Sequence, residues 1–209
     1  MSNNTIIKVE NLKKSYNGLV AVDHISFEVY DDEIFGMLGP NGAGKTSTLE
    51  MIEGLRKIDE GTAEIDGINV ARKPEDIKQI IGIQLQSSSY FENLTVTELL
   101  ELFGNFYCRK IDVPKLIQKV HLEGKENAYA NQLSGGQKQR LSIASSLVNK
   151  PKVLFLDEPT TGLDPQARRN LWDLITEIRE QDKVTVVLTT HYMEEAEELC
   201  DRVAIMDKG

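Results

Sequence analysis

The first third of the chain is written in short runs where apolar and polar residues alternate. TIIKVENLKKSY and AVDHISFEVY both carry a period of two, and Asn17-Gly18 between them marks a tight turn, so the pair reads as a hairpin. EIFGML is a compact apolar run that stops at a glycine-rich stretch, the pattern of a buried strand. TSTLEMIEGLR changes to helical spacing, TAEIDGINV reads as one further turn-bounded strand, and IGIQL as another short one. From Leu94 to about Leu122 the period is helical again, with LTVTELLELFGNFY followed by VPKLIQKVHL, which has Pro114 in its first turn. SGGQKQRLSIASSLVN is a helix opened by Ser134 as cap, and DPQARRNLWDLITEIREQ is one opened by Asp164 and Pro165. KVLFLD, VTVVLTT and RVAIM read as strands, and HYMEEAEELC as a helix. Strands separated by helices of this length predict parallel βαβ units, while the opening alternation predicts antiparallel pairing. The helical middle reads as a lobe inserted between two αβ halves.

The chain has 209 residues, enough for one large core with a smaller appended lobe. Its 24 Lys+Arg against 33 Asp+Glu give a formal charge of −9, which disfavours nucleic acid as a partner drawn by bulk charge. No stretch approaches the ~18 consecutive apolar residues of a membrane span. The opening MSNNTIIKVENLKK lacks the charged-then-apolar layout of a secretory signal. Cys108 and Cys200 are too few and too far apart for a disulfide framework or a zinc site. They are expected as reduced thiols of a cytoplasmic protein, which sets aside extracellular and metalloprotein readings.

The chemistry begins at Gly39-Pro40-Asn41-Gly42-Ala43-Gly44-Lys45-Thr46, which fits G-x-x-x-x-G-K-[ST] between a buried strand and a helix. Glycines let the backbone curl so that successive N–H groups point at a polyphosphate, and the helix presents its positive end to the same anion. Lys45 can bridge the outer phosphates, Thr46 can place its hydroxyl on Mg²⁺, and Ser47 follows on the same helix start. A second arm is supplied by VLFLDEP, a hydrophobic strand that delivers Asp157 and Glu158 at its C-terminal end, where ligands of open α/β sheets collect. Asp157 suits the Mg²⁺-anchoring carboxylate and Glu158 a general base for an attacking water. Together these motifs describe a Mg²⁺-dependent purine nucleotidase.

Leu133-Ser134-Gly135-Gly136-Gln137, between the phosphate loop and the Asp-Glu strand, narrows the reading. LSGGQ resembles the signature of ATP-binding cassette proteins, the motor domains of ABC transporters, and the resemblance covers nearly the whole chain with several motifs in family order. It implies a P-loop NTPase core with a parallel central sheet and an antiparallel β part (residues 1–86 and 150–209), and a helical subdomain at residues 87–149. It also assigns roles. Tyr16 stands where the family stacks an aromatic on adenine, Gln86 where a glutamine senses the metal and the attacking water, and His191 where a histidine touches the γ-phosphate. Gly162-Leu163-Asp164 resembles the loop that crosses the dimer interface. Ser134, Gly135, Gly136 and Gln137 would close over the γ-phosphate held by the other subunit of a head-to-tail dimer, of identical chains or of paired cassettes, with ATP and Mg²⁺ between them.

Within that family, EPTTGLDPQARRNLW and LTTHYMEEAEELCDRVAIMDKG look like bacterial exporters of drugs, antibiotics and lipid-like compounds. The resemblance implies an integral membrane permease as a separate chain, with this chain peripheral on the inner face of the cell membrane. The permease would dock near residues 87–107, where Tyr90, Phe91, Leu94, Phe103, Phe106 and Tyr107 supply apolar and aromatic material, most of it expected in core packing. The family's domain usually continues past a segment like RVAIMDKG into a last strand and helix, which this chain, stopping at Gly209, is expected to lack. Two other readings stay open: a DNA- or ribosome-associated cassette, and a regulator that binds ATP without cleaving it.

Overall fold

The fold is described from a computed structural model, at residues 4–85, 91 and 93–209. In chain order the strands and helices are β1 (Thr5–Tyr16), β2 (Leu19–Tyr30), β3 (Ile34–Leu38), α1 (Lys45–Ile52), β4 (Glu60–Ile65), β5 (Ile68–Asn69), α2 (Pro74–Ile80) and β6 (Ile81–Gln84). There follow α3 (Val96–Phe106), α4 (Val113–Lys119), α5 (Gly135–Leu147), β7 (Val153–Asp157), α6 (Pro165–Asp182), β8 (Thr185–Thr190), α7 (Met193–Leu199) and β9 (Arg202–Ile205).

Two sheets divide the strands as the periodicity predicts. The antiparallel sheet runs β2-β1-β4-β5, and the five-stranded parallel sheet runs β6-β7-β8-β3-β9. Asn17 (φ 49) and Gly18 (φ 86) make the two-residue hairpin turn between β1 and β2, where only residues tolerant of positive φ fit. TAEIDGINV is not one strand. Asp66 (φ 51) and Gly67 (φ 72) turn the chain back so that Ile65 pairs with Ile68, as Asp-Gly between apolar residues favours. Helix α2, which the periodicity does not reveal, is a two-turn piece opened by Pro74 with only Ile77 buried.

Alternation along the parallel strands feeds two cores. Leu154 and Leu156 of β7 and Val186 and Leu188 of β8 face α5, α6 and the helices α3 and α4. Val153, Phe155 and Val187 face the other way, onto α1 and the antiparallel sheet. The parallel sheet is therefore covered on both faces, which is why β7 reads as an apolar run up to Asp157 and every residue of β8 is buried. Because the strands are parallel, the loops after β3, β7 and β8 emerge at one edge, and the candidate chemistry lies there.

Candidate functional site

The loop between β3 and α1 is tied down before it turns. Gly39 N donates to Thr190 O of β8 (3.2 Å), and a Cβ at Gly39 would fall 2.3 Å from Met206 O, so no larger residue fits there. Gly44 has φ +98, and its Cβ would strike Ala21 O at 2.3 Å. Gly42, at φ +85, faces open space. Pro40 O accepts from Ala43 N, closing the loop over Asn41 and Gly42 (3.2 Å). Helix α1 starts at Lys45, so the unpaired N–H groups of its first turn lie next to this loop.

Lys45 is buried, and its Nζ donates to Gly39 O (2.8 Å) and Pro40 O (3.1 Å). The same ammonium lies 3.4 Å from Glu158 Oε1. Thr46 Oγ1 donates to the Asp157 carboxylate (3.1 Å to Oδ2). Both carboxylates arrive on β7, whose five residues are all buried. Glu158 turns the chain off the strand with φ 48, an uncommon conformation for a residue with a side chain.

Thr189, on β8 beside this turn, fixes both acids. Its hydroxyl donates to Asp157 Oδ1 (2.5 Å) and accepts from Glu158 N (3.0 Å). Thr161 Oγ1 donates to Glu158 Oε2 (3.1 Å), and His191 Nδ1 lies 3.2 Å from that same oxygen. Burial raises the Asp157 pKa above the usual carboxylate value, and the hydrogen bonds from Thr189 and Thr46 partly oppose it.

A second buried acid stands nearby. Glu53, the residue closing α1, is 2% exposed, and burial followed by the charges of Asp157 and Glu50 pushes its carboxyl up to about 8. The folded protein thus holds a proton that the unfolded chain releases near 4.5, so stability falls as pH rises between those two values. Glu53→Gln should flatten that slope, stabilising the protein at pH 8 relative to pH 5 by roughly 3 kcal/mol compared with wild type. Urea denaturation at the two pH values measures it, and parallel slopes for the two proteins would refute the assignment.

The donor set fits the groups that the motifs call for. Gly42 leaves room at the loop, the α1 start supplies N–H groups, and Lys45 supplies a cation, which suits a polyphosphate. Among the described residues no group of three or more His, Cys, Asp or Glu side chains forms a metal cage. Thr46 and Asp157 instead offer a few hard oxygens, the share a protein contributes to Mg²⁺ when phosphates and water supply the rest.

The sequence pattern of the ABC transporter family matches residues 22–161, which contain this loop, LSGGQ and the Asp157-Glu158 strand end. The chain belongs to the ABC transporter family. The Nod factor export ATP-binding protein I of Paraburkholderia xenovorans is 43% identical to it over 209 residues, spanning 97% of this chain and 68% of that protein. Its namesake in Ralstonia nicotianae is 42% identical, over 98% of this chain and 65% of that one. Among solved structures, cbiO1 from Clostridium perfringens, part of the ABC transporter complex cbiONQ, has a TM-score of 0.88 at 30% identity, covering 99% of this chain and 86% of that one. A dimeric post-hydrolysis state of the ATP-binding cassette MJ0796 bound to ADP and Pi has a TM-score of 0.86 at 28% identity, over 97% of this chain and 95% of that one.

In this ABC protein the other residues singled out from the sequence take distinct places. Tyr16 ends β1 with its hydroxyl 3.3 Å from Ser47 Oγ, so the ring stands beside the first turn of α1, with the Arg56 guanidinium 5.3 Å from its centroid. Ser134 caps α5 in a reciprocal pair: Gln137 N donates to Ser134 Oγ (3.3 Å) and Ser134 N to Gln137 Oε1 (3.0 Å). Ser134 and Gly135 are exposed and Gly136 half-buried, with Leu163 and Ala167 packed behind the two glycines. Asp164 caps α6 by accepting from Gln166 N (3.0 Å) and Ala167 N (2.9 Å). Gln86 and Tyr90 lie outside the described residues. No helix among the described residues is long and apolar enough to cross a membrane.

Sequence reasoning missed Thr189 and Thr161 as holders of the acids. The signal for Thr189 was present, since a threonine inside the fully buried strand β8 must find a hydrogen-bond partner. It missed Glu195 as well. This carboxylate is 1% exposed, and its Oε1 accepts from Thr160 Oγ1 (2.8 Å) and Trp172 Nε1 (2.9 Å), joining the Glu158 turn to α6 and α7.

Proposed function

We propose that this chain is the Mg²⁺-dependent ATP-hydrolysing subunit of an ABC exporter, acting as a dimer that closes on ATP. The observation that carries the reading is the Glu158 carboxylate, with Lys45 Nζ 3.4 Å from one oxygen and His191 Nδ1 3.2 Å from the other. A base, a cation for phosphate and a histidine thus meet at the edge where the phosphate loop begins. In the reaction a water oxygen bonds to the γ-phosphorus, its proton passes to Glu158, and the bond to the β–γ bridging oxygen breaks, releasing ADP and phosphate. Lys45 neutralises charge on the outer phosphates. Thr46 and Asp157, and by the family resemblance Gln86, would hold Mg²⁺, which would supply further charge neutralisation.

The rest of the reading follows the family. The exposed start of α5 suits a second anion contact made toward a partner copy, with Asp164 at the same face, and Tyr16 suits a base-stacking ring. Residues 87–149 form the helical subdomain and residues 1–86 and 150–209 the core, a division supported by the run of α3, α4 and α5 between β6 and β7. Phe91 and Phe106 are 62% and 67% exposed, which supports this region as the docking face for a membrane permease, whereas Leu94, Phe103 and Tyr107 lean on the core. Export as the direction rests on the relatives' names, and the net charge of −9 speaks against nucleic acid. On this reading the protein works at the inner face of the cytoplasmic membrane, beside the permease.

Ser134→Arg tests the dimer. It should abolish steady-state hydrolysis while leaving ATP affinity of the monomer within about twofold, because the blocked helix start serves the partner's nucleotide. Loss of ATP binding along with turnover would place the signature at the chain's own nucleotide and end the two-copy reading.

A further inference from the structure

Among the side chains gathered at Glu158, His191 has no hydrogen bond to its ring among the described residues. Its Nδ1 is buried, 3.2 Å from Glu158 Oε2 but out of hydrogen-bond alignment. An imidazole turns broadly about its last torsion, so something other than hydrogen bonding must set its plane. The Tyr192 ring lies against it, centroids 4.0 Å apart with a tilt of 41°. On Tyr192 in turn sits the Arg168 guanidinium, 4.2 Å from the ring centroid. Arg168 Nε is buried and also lacks a hydrogen-bond partner among the described residues, so the ring face, a favourable seat for a planar cation, is what orients this group.

Tyr192 and Arg168 are each anchored through a backbone N–H. Tyr192 N donates to Thr190 Oγ1 (3.0 Å), and Arg168 N to Asp164 O (2.9 Å) in the turn that Asp164 caps.

We propose that Arg168 and Tyr192 are positioning residues for hydrolysis: Arg168 clamps the Tyr192 ring, and that ring holds the His191 imidazole at Glu158. The clamp ties the first turn of α6 to the histidine after β8, two segments that the chain keeps more than twenty residues apart. The proposal rests on the hydrolytic reading of Glu158 and His191 given above.

Steady-state ATPase kinetics of the purified protein test it. Tyr192→Ala and Arg168→Ala should each lower kcat about tenfold or more while KM for ATP stays within about twofold, because a misplaced group slows chemistry without weakening ground-state binding. Tyr192→Phe should keep kcat, since the ring face remains, and Arg168→Lys should recover part of the loss. The double variant should be no slower than Tyr192→Ala alone, as expected for residues acting through one path. The clamp is overturned if both alanine variants keep kcat within twofold, if Tyr192→Phe loses as much as Tyr192→Ala, if KM rises in place of the fall in kcat, or if the two losses simply multiply. Should Tyr192→Ala melt before the assay temperature, Arg168→Ala, at a half-buried position, decides alone by the same kcat criterion. A wild-type protein without ATPase activity would sink the hydrolytic reading itself. An active wild type that needs His191 but neither Arg168 nor Tyr192 would sink only the clamp.

Discussion

Glu158→Gln should bind ATP and scarcely turn it over, with kcat lowered at least ~10²-fold. The amide keeps the shape of the carboxylate and can still accept from Thr161, so the turn after β7 should stand. It cannot take a proton from water at neutral pH, and that is the step lost. Removing the negative charge beside Lys45 also leaves the ammonium free for phosphate, so ATP affinity should rise, not fall. Long-lived nucleotide should then hold two copies together, and the variant should elute from a sizing column as a dimer with ATP and as a monomer without it. Undiminished hydrolysis would remove Glu158 from its role as base.

Lys45→Ala should cost ATP binding itself, about 10²-fold or more in affinity, because the only described ammonium seated on the phosphate loop is gone. Isothermal titration with ATP measures this, and wild-type affinity would mean that the phosphates sit elsewhere. The substitution has a second effect that needs separating. Lys45 and Glu158 are 4% and 7% exposed, and leaving one charge of a buried pair uncompensated destabilises by roughly 3–5 kcal/mol. Combining Lys45→Ala with Glu158→Gln removes the stranded charge. The double variant should regain much of the lost melting temperature while ATP binding stays lost, which divides the electrostatic effect on folding from that on the ligand.

Local signals carried most of the elements. Asn17-Gly18 makes its turn because few other pairs accept positive φ at both positions, and Ser134 and Asp164 open helices because their side chains satisfy N–H groups that the helix cannot. The apolar runs of β3 and β7 and the VVL centre of β8 announced a sheet buried on both faces. Reading TAEIDGINV as one strand failed because strand periodicity survives a two-residue turn, which shifts the phase by a whole period. Helix α2 stayed hidden because a single buried residue, Ile77, gives no period to read.

By itself, then, the sequence determined which residues could serve a nucleotide and in what order along the chain they occur, since loop glycines, helix caps and strand-end acids are dictated by neighbours a few positions away. What only the tertiary structure decided is which of them touch. Thr189 spanning Asp157 and Glu158, Glu195 joining Thr160 to Trp172, and Arg168 seated on Tyr192 beside His191 are contacts between elements far apart in sequence. Their partners are chosen by which strands lie side by side in the order β6-β7-β8-β3-β9 and by the packing of α6 and α7, whereas the hydrophobic pattern along one strand fixes only which of its faces is buried.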